Sequence, residues 1–457
     1  MDKATDIDKR LLELGHPQGL RRRLHIWHVV GLALALMSPT VAVFLLATAV
    51  FSVGGTFTIG ANIIINLIAI PLTLIIAELG ALYPVTGGIY SLARRILPGP
   101  IMWMVGFNIL VMGVIFLAVS SLGIAPFLKN LLPGFRVPDQ LIAILMLLIA
   151  TSIALIKVEL GAIINAVLIV VECIALGTII VAGFSHPHQS VPDILLQPTR
   201  LQSGHLTPVT TGFLLATLPA AFSMITAPEL VLGYSEELIG NTKTLAKAVL
   251  ISSFLGIPLI LIPLTAAVVA APNLVAFLQS PTPVIYSIQQ AFGNETATFI
   301  NVCICVALFT AMIGALMYFP RLLYAMGRDG MWGSGFTHQI STLNRYSVPG
   351  VAIVVIAFVS LLLIFVSALN WLVIFLGTCV TTIYFFVGLM GLWSRFKSPQ
   401  ELRPYRMPVW PICPIIVMLF TAFVLTSQDS QYLIGFLILN TAAVLAGAIK
   451  NKYSTSS

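Results

Sequence analysis

Charge is what this sequence has least of. Of 457 residues only 9% are Asp, Glu, Lys or Arg, while 58% are hydrophobic. Soluble domains carry about a quarter charged residues, so a water-facing globular fold is excluded and the chain reads as a polytopic membrane protein. Acids are scarcer than bases, 16 against 23, for a formal net charge of +7. The cations are distributed along the chain instead of clustered on a soluble domain, which argues for membrane topology and against nucleic acid. The five cysteines, Cys173, Cys303, Cys305, Cys379 and Cys413, lie in or beside apolar runs without metal-ligand or redox spacing, and all read as small hydrophobes. No Walker pattern or nucleotide-binding glycine loop occurs, so ATP-driven pumping by this chain alone is not expected. A cleavable signal is also missing: the first apolar run, from near Ile26, is longer than a signal core and has no small-residue cleavage pattern after it.

What is present is a series of apolar runs, each about 20 residues long and so able to span a bilayer. They fall at about 27–52, 57–82, 101–128, 138–156, 160–184, 209–234, 246–271, 297–325, 348–369, 371–394, 409–427 and 431–449. Twelve spans put both termini on one side. With that side taken as cytoplasmic, only Lys129, Arg136 and Arg200 of the 23 Lys and Arg fall outside, as the positive-inside rule requires. The reading is an all-α integral membrane protein with a cytoplasmic tail at 1–26, a membrane domain at 27–449 and a second cytoplasmic tail at 450–457. Asp6–Leu14 is expected as a short surface helix before Arg21, Arg22 and Arg23. The outer segment 185–208 holds His186, His188 and His205, whose polar setting favours solvated side chains over a metal site. The short tails point to a bacterial plasma membrane.

Two runs are interrupted. Pro228 lies inside the sixth run, with Glu229 directly after it, and Pro39 lies near the middle of the first, in Leu36-Met37-Ser38-Pro39-Thr40-Val41. Proline removes a backbone donor and frees carbonyls that hydrocarbon cannot satisfy, so such breaks persist only against protein, water or ligand. Interrupted segments at corresponding places in two halves mark a transporter's binding site.

Acids inside the runs are functional candidates, because a charge at the bilayer centre costs about 3 kcal/mol. Glu229 follows the break Ile225-Thr226-Ala227-Pro228 and is suited to pair with a substrate ammonium or to carry a coupling proton. Its alternative role is to tie down freed backbone donors. Glu172 lies mid-run without a basic residue in its own run, as a proton-coupling candidate or as a structural acid bonded to a neighbouring helix. Glu78 sits near an inner helix end and reads as packing. Glu236 and Glu237, near Lys243 and Lys247, read as inner salt-bridging or gate residues. Ser38 and Thr40 flank Pro39, where hydroxyls and helix-start amides suit a carboxylate. Met112, Met224, Phe222 and Tyr318 are possible wall residues, indistinguishable by type from ordinary packing.

Four stretches together resemble the amino acid–polyamine–organocation superfamily of secondary transporters, amino acid permease type. They are AELGALYPVTGGIYSLARR (Ala77 to Arg95), Glu229 followed after six residues by Glu236-Glu237 and NTKTLAKA, PRLLYAMGRDG (Pro320 to Gly330), and RPYRMP (Arg403 to Pro408). The resemblance implies a five-plus-five inverted repeat, the leucine-transporter-like fold, with repeats at about 27–184 and 209–394 and two extra helices at about 409–449. It implies a central site between helices 1 and 6, with the substrate's amino and carboxyl groups against Met37, Ser38, Pro39 and Thr40 and against Ile225, Thr226, Ala227, Pro228 and Glu229. Glu236, Glu237 and Arg321 become inner gate candidates. Two departures stand out. Met37-Ser38-Pro39-Thr40 replaces a glycine-serine-glycine type break, and Glu172 stands where many amino acid carriers have a lysine in helix 5, which raises the case for an amine. Only Thr310 offers an aliphatic hydroxyl in the stretch TAMIGALMYFP before Arg321, which argues against sodium.

The expectation is a non-enzymatic permease for amino acids or related small amines, without cofactor or metal, working by alternating access with proton symport or substrate exchange. Its partners are a small-molecule substrate, a proton or counter-substrate, and the bilayer. A polyamine or choline-like carrier on the same fold is the first alternative. A membrane sensor or transporter subunit without its own transport is the second.

Overall fold

The computed structural model describes residues 24–85, 87–132, 134, 136–156, 162–332, 334–346 and 348–454. The surface helix expected at Asp6–Leu14 lies outside them. The chain begins with α1 (Ile26–Met37), which stops at Ser38 in the left-handed region (φ 44°, ψ 79°). Pro39 then opens the next helical stretch, a position where its missing N–H costs nothing. That stretch runs through π geometry at Ala42–Leu46 into α2 (Ala47–Gly54). α3 (Thr58–Leu82), α4 (Gly88–Ile96), α5 (Gly99–Leu131), α6 (Asp139–Leu155) and α7 (Ala162–Ser185) follow.

After the outer segment come α8 (Thr211–Phe222), a 3-10 stretch at Pro228–Tyr234, and α9 (Thr242–Val269), opened by a reciprocal Asn241–Thr244 capping box. α10 (Pro283–Arg328) bends at Gly293. α11 (Gly350–Val366), α12 (Leu369–Lys397), α13 (Ile412–Thr426) and α14 (Ser430–Ser454) complete the chain. Among the described residues, six helical stretches are long and apolar enough to cross a bilayer, and five shorter helices are also apolar. The protein is therefore mostly helical and multi-pass.

One element departs from the all-α expectation. In the outer segment, β1 (Thr199–Gln202) pairs antiparallel with β2 (His205–Pro208). Ser203 and Gly204 both take positive φ, 51° and 82°, the signature of a tight turn whose twist matches a hairpin. The signal in the sequence is the Ser-Gly pair, obscured by the polar residues around it. Thr56 fixes the hairpin to the α2–α3 corner, accepting from Thr199 N–H at 2.9 Å and facing Thr199 O at 3.3 Å.

Packing explains where the apolar surface goes. α10 lies along α5, α9 along α3, and α12 against α5, α8 and α13. Large side chains such as Phe358 and Phe365 of α11, Leu419 of α13 and Ile438 of α14 remain exposed. An aqueous protein would not leave this rim of apolar side chains uncovered, whereas lipid covers it without cost. Inside, helices close to backbone contact: a Cβ at Gly377 of α12 would lie 1.9 Å from the carbonyl oxygen of Pro219 in α8. Gly377→Ala should therefore force the two helices apart and destabilise the protein by about 1–3 kcal/mol. Gly177→Ala, where a Cβ meets nothing within 4 Å, should not. Thermal unfolding of both variants in detergent measures the difference.

Candidate functional site

The two interruptions differ in kind. In the first, Ser38 alone leaves helical geometry; its N–H still donates to Leu34 O at 3.0 Å, and its own carbonyl accepts from Ala42 N–H at 3.2 Å. In the second, Ser223–Ala227 separates α8 from the 3-10 stretch, and single-turn bonds from Ser223, Met224 and Ile225 N–H to the carbonyls of Ala220, Ala221 and Phe222 replace helical ones. The 3-10 stretch packs against both α1 and α9, so the two breaks meet.

Between them is a cavity of about 100 Å³. Met37 reaches it from the first break, and Ile225, Ala227 and Glu229 from the second. Met112, Phe222, Met224 and Tyr318, which residue type alone could not separate from packing, also line it. Thr226 is fully buried and turned away, its hydroxyl 3.3 Å from that of Ser253, which in turn lies 2.7 Å from the Thr73 hydroxyl. This hydroxyl chain ties the second break to α9 and α3. Pro228 faces a smaller crevice beside Ser252 and Ser253.

Glu229 lies in the first turn of the 3-10 stretch and is 7% exposed. Tyr384 of α12 donates to its carboxylate, 3.0 and 3.1 Å from the two oxygens. The carboxylate thus has a neutral donor and faces open cavity. Glu172 of α7 is placed differently. Ser38 Oγ donates to it at 3.3 Å and Thr40 Oγ1 at 3.2 Å, so an acid from another helix caps the start of the stretch that begins at Pro39. Ser38, Pro39 and Thr40 are buried, and none of the three lines the cavity. The two hydroxyls assigned to a substrate carboxylate are thus engaged by the protein's own carboxylate.

A second group of charges lies next to the second break and at the ends of α3, α4 and α10. Leu24 N–H donates to Glu237 O at 3.0 Å and Leu24 O accepts from Ile239 N–H at 2.7 Å, clipping the start of the described chain to the segment after the second break. Burial pushes the Glu237 carboxyl up; Arg321 of α10 opposes that shift and Glu236 adds to it. Glu236, Glu237 and Arg321 therefore share one electrostatic neighbourhood. Asp329 pairs with Arg94 of α4 at 2.6 Å and accepts from Tyr90 at 3.0 Å. Glu78, fully buried near the C-terminal end of α3, is held by Arg395 at 2.6 and 3.0 Å, Arg403 at 2.8 Å and Met407 N–H at 2.6 Å. Four charge-assisted bonds leave that carboxylate no free capacity.

Sequence reasoning missed Tyr384, Arg395, Arg403 and Ser253. Tyr384 follows Leu376 and Val380 at four-residue steps on one helix face, but an aromatic in so apolar a run carries no distinguishing mark. Arg395 lies in the last turn of α12 and Arg403 just beyond it, and both reach Glu78 of α3 only through the packing of distant helices.

A multi-pass helical protein with two interrupted helices meeting at a cavity, one buried acid at its wall, is built as a small-molecule carrier. The amino acid permease family matches residues 24–447, and the chain belongs to that family. It is 23% identical to the branched-chain amino acid permease BcaP of Lactococcus lactis subsp. cremoris (strain MG1363), over 78% of each chain. It is 24% identical to the lysine-specific permease LysP of the same strain, over 91% of this chain and 85% of that one. The serine/threonine exchanger SteT of Bacillus subtilis (strain 168) is 22% identical over 78% of each. The protein is thus an amino acid transporter, in a family of transporters and not of enzymes.

Glu172→Gln should leave stability nearly unchanged, because the amide oxygen still accepts from one of the Ser38 and Thr40 hydroxyls and the amide NH2 can donate to the other. Glu172→Leu strands both buried hydroxyls and should cost about 1–3 kcal/mol. Thermal unfolding in detergent separates the two.

Proposed function

We propose that this protein is a secondary active permease that carries its substrate by alternating access, with the cavity between the two breaks as the substrate site. The observation that carries the reading is Glu229: a buried carboxylate, hydrogen-bonded only by the neutral Tyr384 among its described side-chain partners, facing that cavity at the second break. An ammonium entering there gains a charge-assisted bond to a buried carboxylate. Met37, Ile225 and Ala227 border the substrate directly. Ser38, Pro39 and Thr40 shape the first break behind it, and Thr226 and Pro228 shape the second.

The frame proposed is twelve spans in a five-plus-five inverted repeat, about 27–184 and 209–394, with extra helices at about 409–449 and short tails at 1–26 and 450–457, both cytoplasmic, in a bacterial plasma membrane. Helix in each predicted apolar run and interruptions in the first and sixth support it. Glu229 and Glu172 are the proposed proton carriers, since each is held by neutral hydroxyls that tolerate either protonation state. Glu236, Glu237 and Arg321 are the proposed inner gate, supported by their shared neighbourhood next to the second break. Coupling is by proton symport or by exchange. The exchanger SteT among the relatives favours keeping the second. The relatives' names span branched-chain, cationic and hydroxyl substrates, so the similarity leaves the substrate open.

Uptake of labelled amino acids and amines into proteoliposomes tests this, with and without an inward proton gradient and with and without internal unlabelled substrate. Accumulation under the gradient identifies symport, and uptake only into preloaded vesicles identifies exchange. Glu229→Gln should reduce transport at least about tenfold, the loss expected when one charge-assisted bond is removed, while the protein still inserts; unchanged uptake removes Glu229 from the site. Under symport, Glu172→Gln should flatten the pH dependence of uptake, and an unshifted profile assigns Glu172 to structure alone.

A further inference from the structure

The stretch Ala77 to Arg95 carries glycines at two places where another element comes to within contact of its backbone. A Cβ at Gly80, near the end of α3, would lie 2.4 Å from Leu232 Cδ2 of the 3-10 stretch. A Cβ at Gly88, the first residue of α4, would lie 2.9 Å from the Tyr318 hydroxyl oxygen of α10. Outside the local backbone, that oxygen is the one atom among the described residues such a Cβ would meet within 4 Å. Tyr318 is held from a second side as well: a Cβ at Gly233 of the 3-10 stretch would lie 3.2 Å from its Cε2. One phenol ring is thus seated between two glycines of two different elements, and those elements pack against each other.

The ring sits at a boundary. Ala315, Tyr318 and Phe319 of α10 line the cavity, whereas Arg321, three residues further on the Tyr318 face and roughly 4.5 Å along the axis, is exposed. Leu230 of the 3-10 stretch lines the cavity, but Gly233 does not, and neither does Gly88. Tyr318 therefore meets the cavity with one part of its ring and elements beyond the cavity with the rest. On α10, a single turn separates the cavity from the neighbourhood of Arg321, Glu236 and Glu237. The two phenols at the cavity wall also differ in their bonding. Tyr384 donates to Glu229, while the Tyr318 hydroxyl makes no hydrogen bond among the described residues. The Tyr318 ring can leave its seat without stranding a polar partner.

We infer that Tyr318 is the plug that closes the cavity towards the Arg321 end, seated on Gly88 and Gly233, and that passage in that direction requires the ring to leave Gly88. This deepens the proposed function and rests on its placement of the substrate in the cavity. It also gives the two glycines of the Ala77 to Arg95 stretch a shared task. Gly80 lets Leu232 bring the 3-10 stretch against α3, and Gly88 receives the ring that the 3-10 stretch holds from its other side.

The test uses the full chain in membrane vesicles, with Ala315→Cys as a reporter on the cavity wall one turn before Tyr318. A small cationic methanethiosulfonate that does not cross the membrane is applied to one face at a time. Arg328→Cys, at the exposed end of α10, identifies the face in question. Peptide mass spectrometry reads position 315 apart from the five native cysteines. From that face, Tyr318→Ala should raise the rate of modification at least about tenfold, because loss of a packed aromatic ring shifts the population away from the closed state. Tyr318→Phe should leave the rate within about twofold, since the hydroxyl holds no bond. Gly88→Ala should raise the rate at least about fivefold by pressing on that hydroxyl. Combining it with Tyr318→Phe should restore the original rate, because phenylalanine lacks the atom the new Cβ meets. Strain from the left-handed φ of Gly88, 60°, is the same in both backgrounds. This pair carries the test if Tyr318→Ala does not fold. Rates indifferent to the Tyr318→Ala and Gly88→Ala changes overturn the inference, as does a Gly88→Ala effect that persists beside phenylalanine. Modification that follows the expected pattern in a protein that takes up no substrate overturns the transport reading and leaves the plug standing. Uptake with modification indifferent to these variants does the reverse.

Discussion

Backbone pairing in hydrocarbon is the constraint on which the rest of this structure depends. A helix crossing a bilayer satisfies its own N–H and C=O groups, and an interruption exposes some of them where water is absent. Each interruption here is accordingly surrounded by groups that meet this need. At the first, backbone bonds bridge Ser38 on both sides, and Glu172 takes the hydroxyls at the start of the following stretch. At the second, single-turn bonds replace helical ones, and Thr226 is tied through Ser253 to Thr73. The cavity lies where those compensations meet, bounded by helices that would otherwise close on one another.

Glu78 and Glu229, both buried, and the half-buried Glu172 show how environment divides labour among identical carboxyl groups. Glu78 is enclosed by two guanidinium groups and a backbone N–H, and a carboxylate so saturated is fixed in its charge state and cannot bind anything further. It joins α3 to α12 and to the segment before α13, a connection suited to holding helices together through a transport cycle. Glu172 is held by two neutral hydroxyls and faces the first break. Glu229 is held by one phenol and faces the cavity. Intermediate pairing is what a group needs if it is to exchange a proton or accept an ammonium. The proposed roles follow this order of saturation more closely than they follow depth in the membrane.

Much of this was legible in the sequence, and what was hidden has a physical reason. The apolar runs, the breaks at Pro39 and Pro228 and the intramembrane acids are visible because proline and carboxylate are costly in hydrocarbon, so each occurrence carries weight. The extent of each break is not visible. The same residue type leaves one non-helical residue at Ser38 and five at Ser223–Ala227, because proline at a helix start is tolerated and the outcome is set by what packs alongside. Partnerships across the fold were also hidden. That Ser38 and Thr40 turn to Glu172 and away from the cavity depends on which face of α1 meets α7, and the spacing in either helix does not encode it. The hairpin at Thr199–Pro208 was missed because Ser203-Gly204 sits in a polar stretch that reads equally well as loop.

The asymmetry between the two breaks bears on how such a carrier moves. A single left-handed residue with intact bonds on either side is a stiff joint: α1 and the stretch after Pro39 can pivot about Ser38 only by changing the cap that Glu172 supplies. The five-residue interruption at Ser223–Ala227 has more backbone freedom, but the hydroxyl chain anchors it to α9 and α3. The preceding helix α8 is pressed against α12 at Gly377, and the 3-10 stretch that follows is joined to α12 through the Glu229–Tyr384 bond. α12 therefore contacts both halves of the second broken helix, through backbone contact on one side and through a bond to the proposed substrate-binding acid on the other. A ligand that draws Glu229 away from Tyr384 loosens only the second of these attachments. On this geometry the expected response to occupancy is movement of the 3-10 stretch Pro228–Tyr234 relative to α12, with α8 remaining in place.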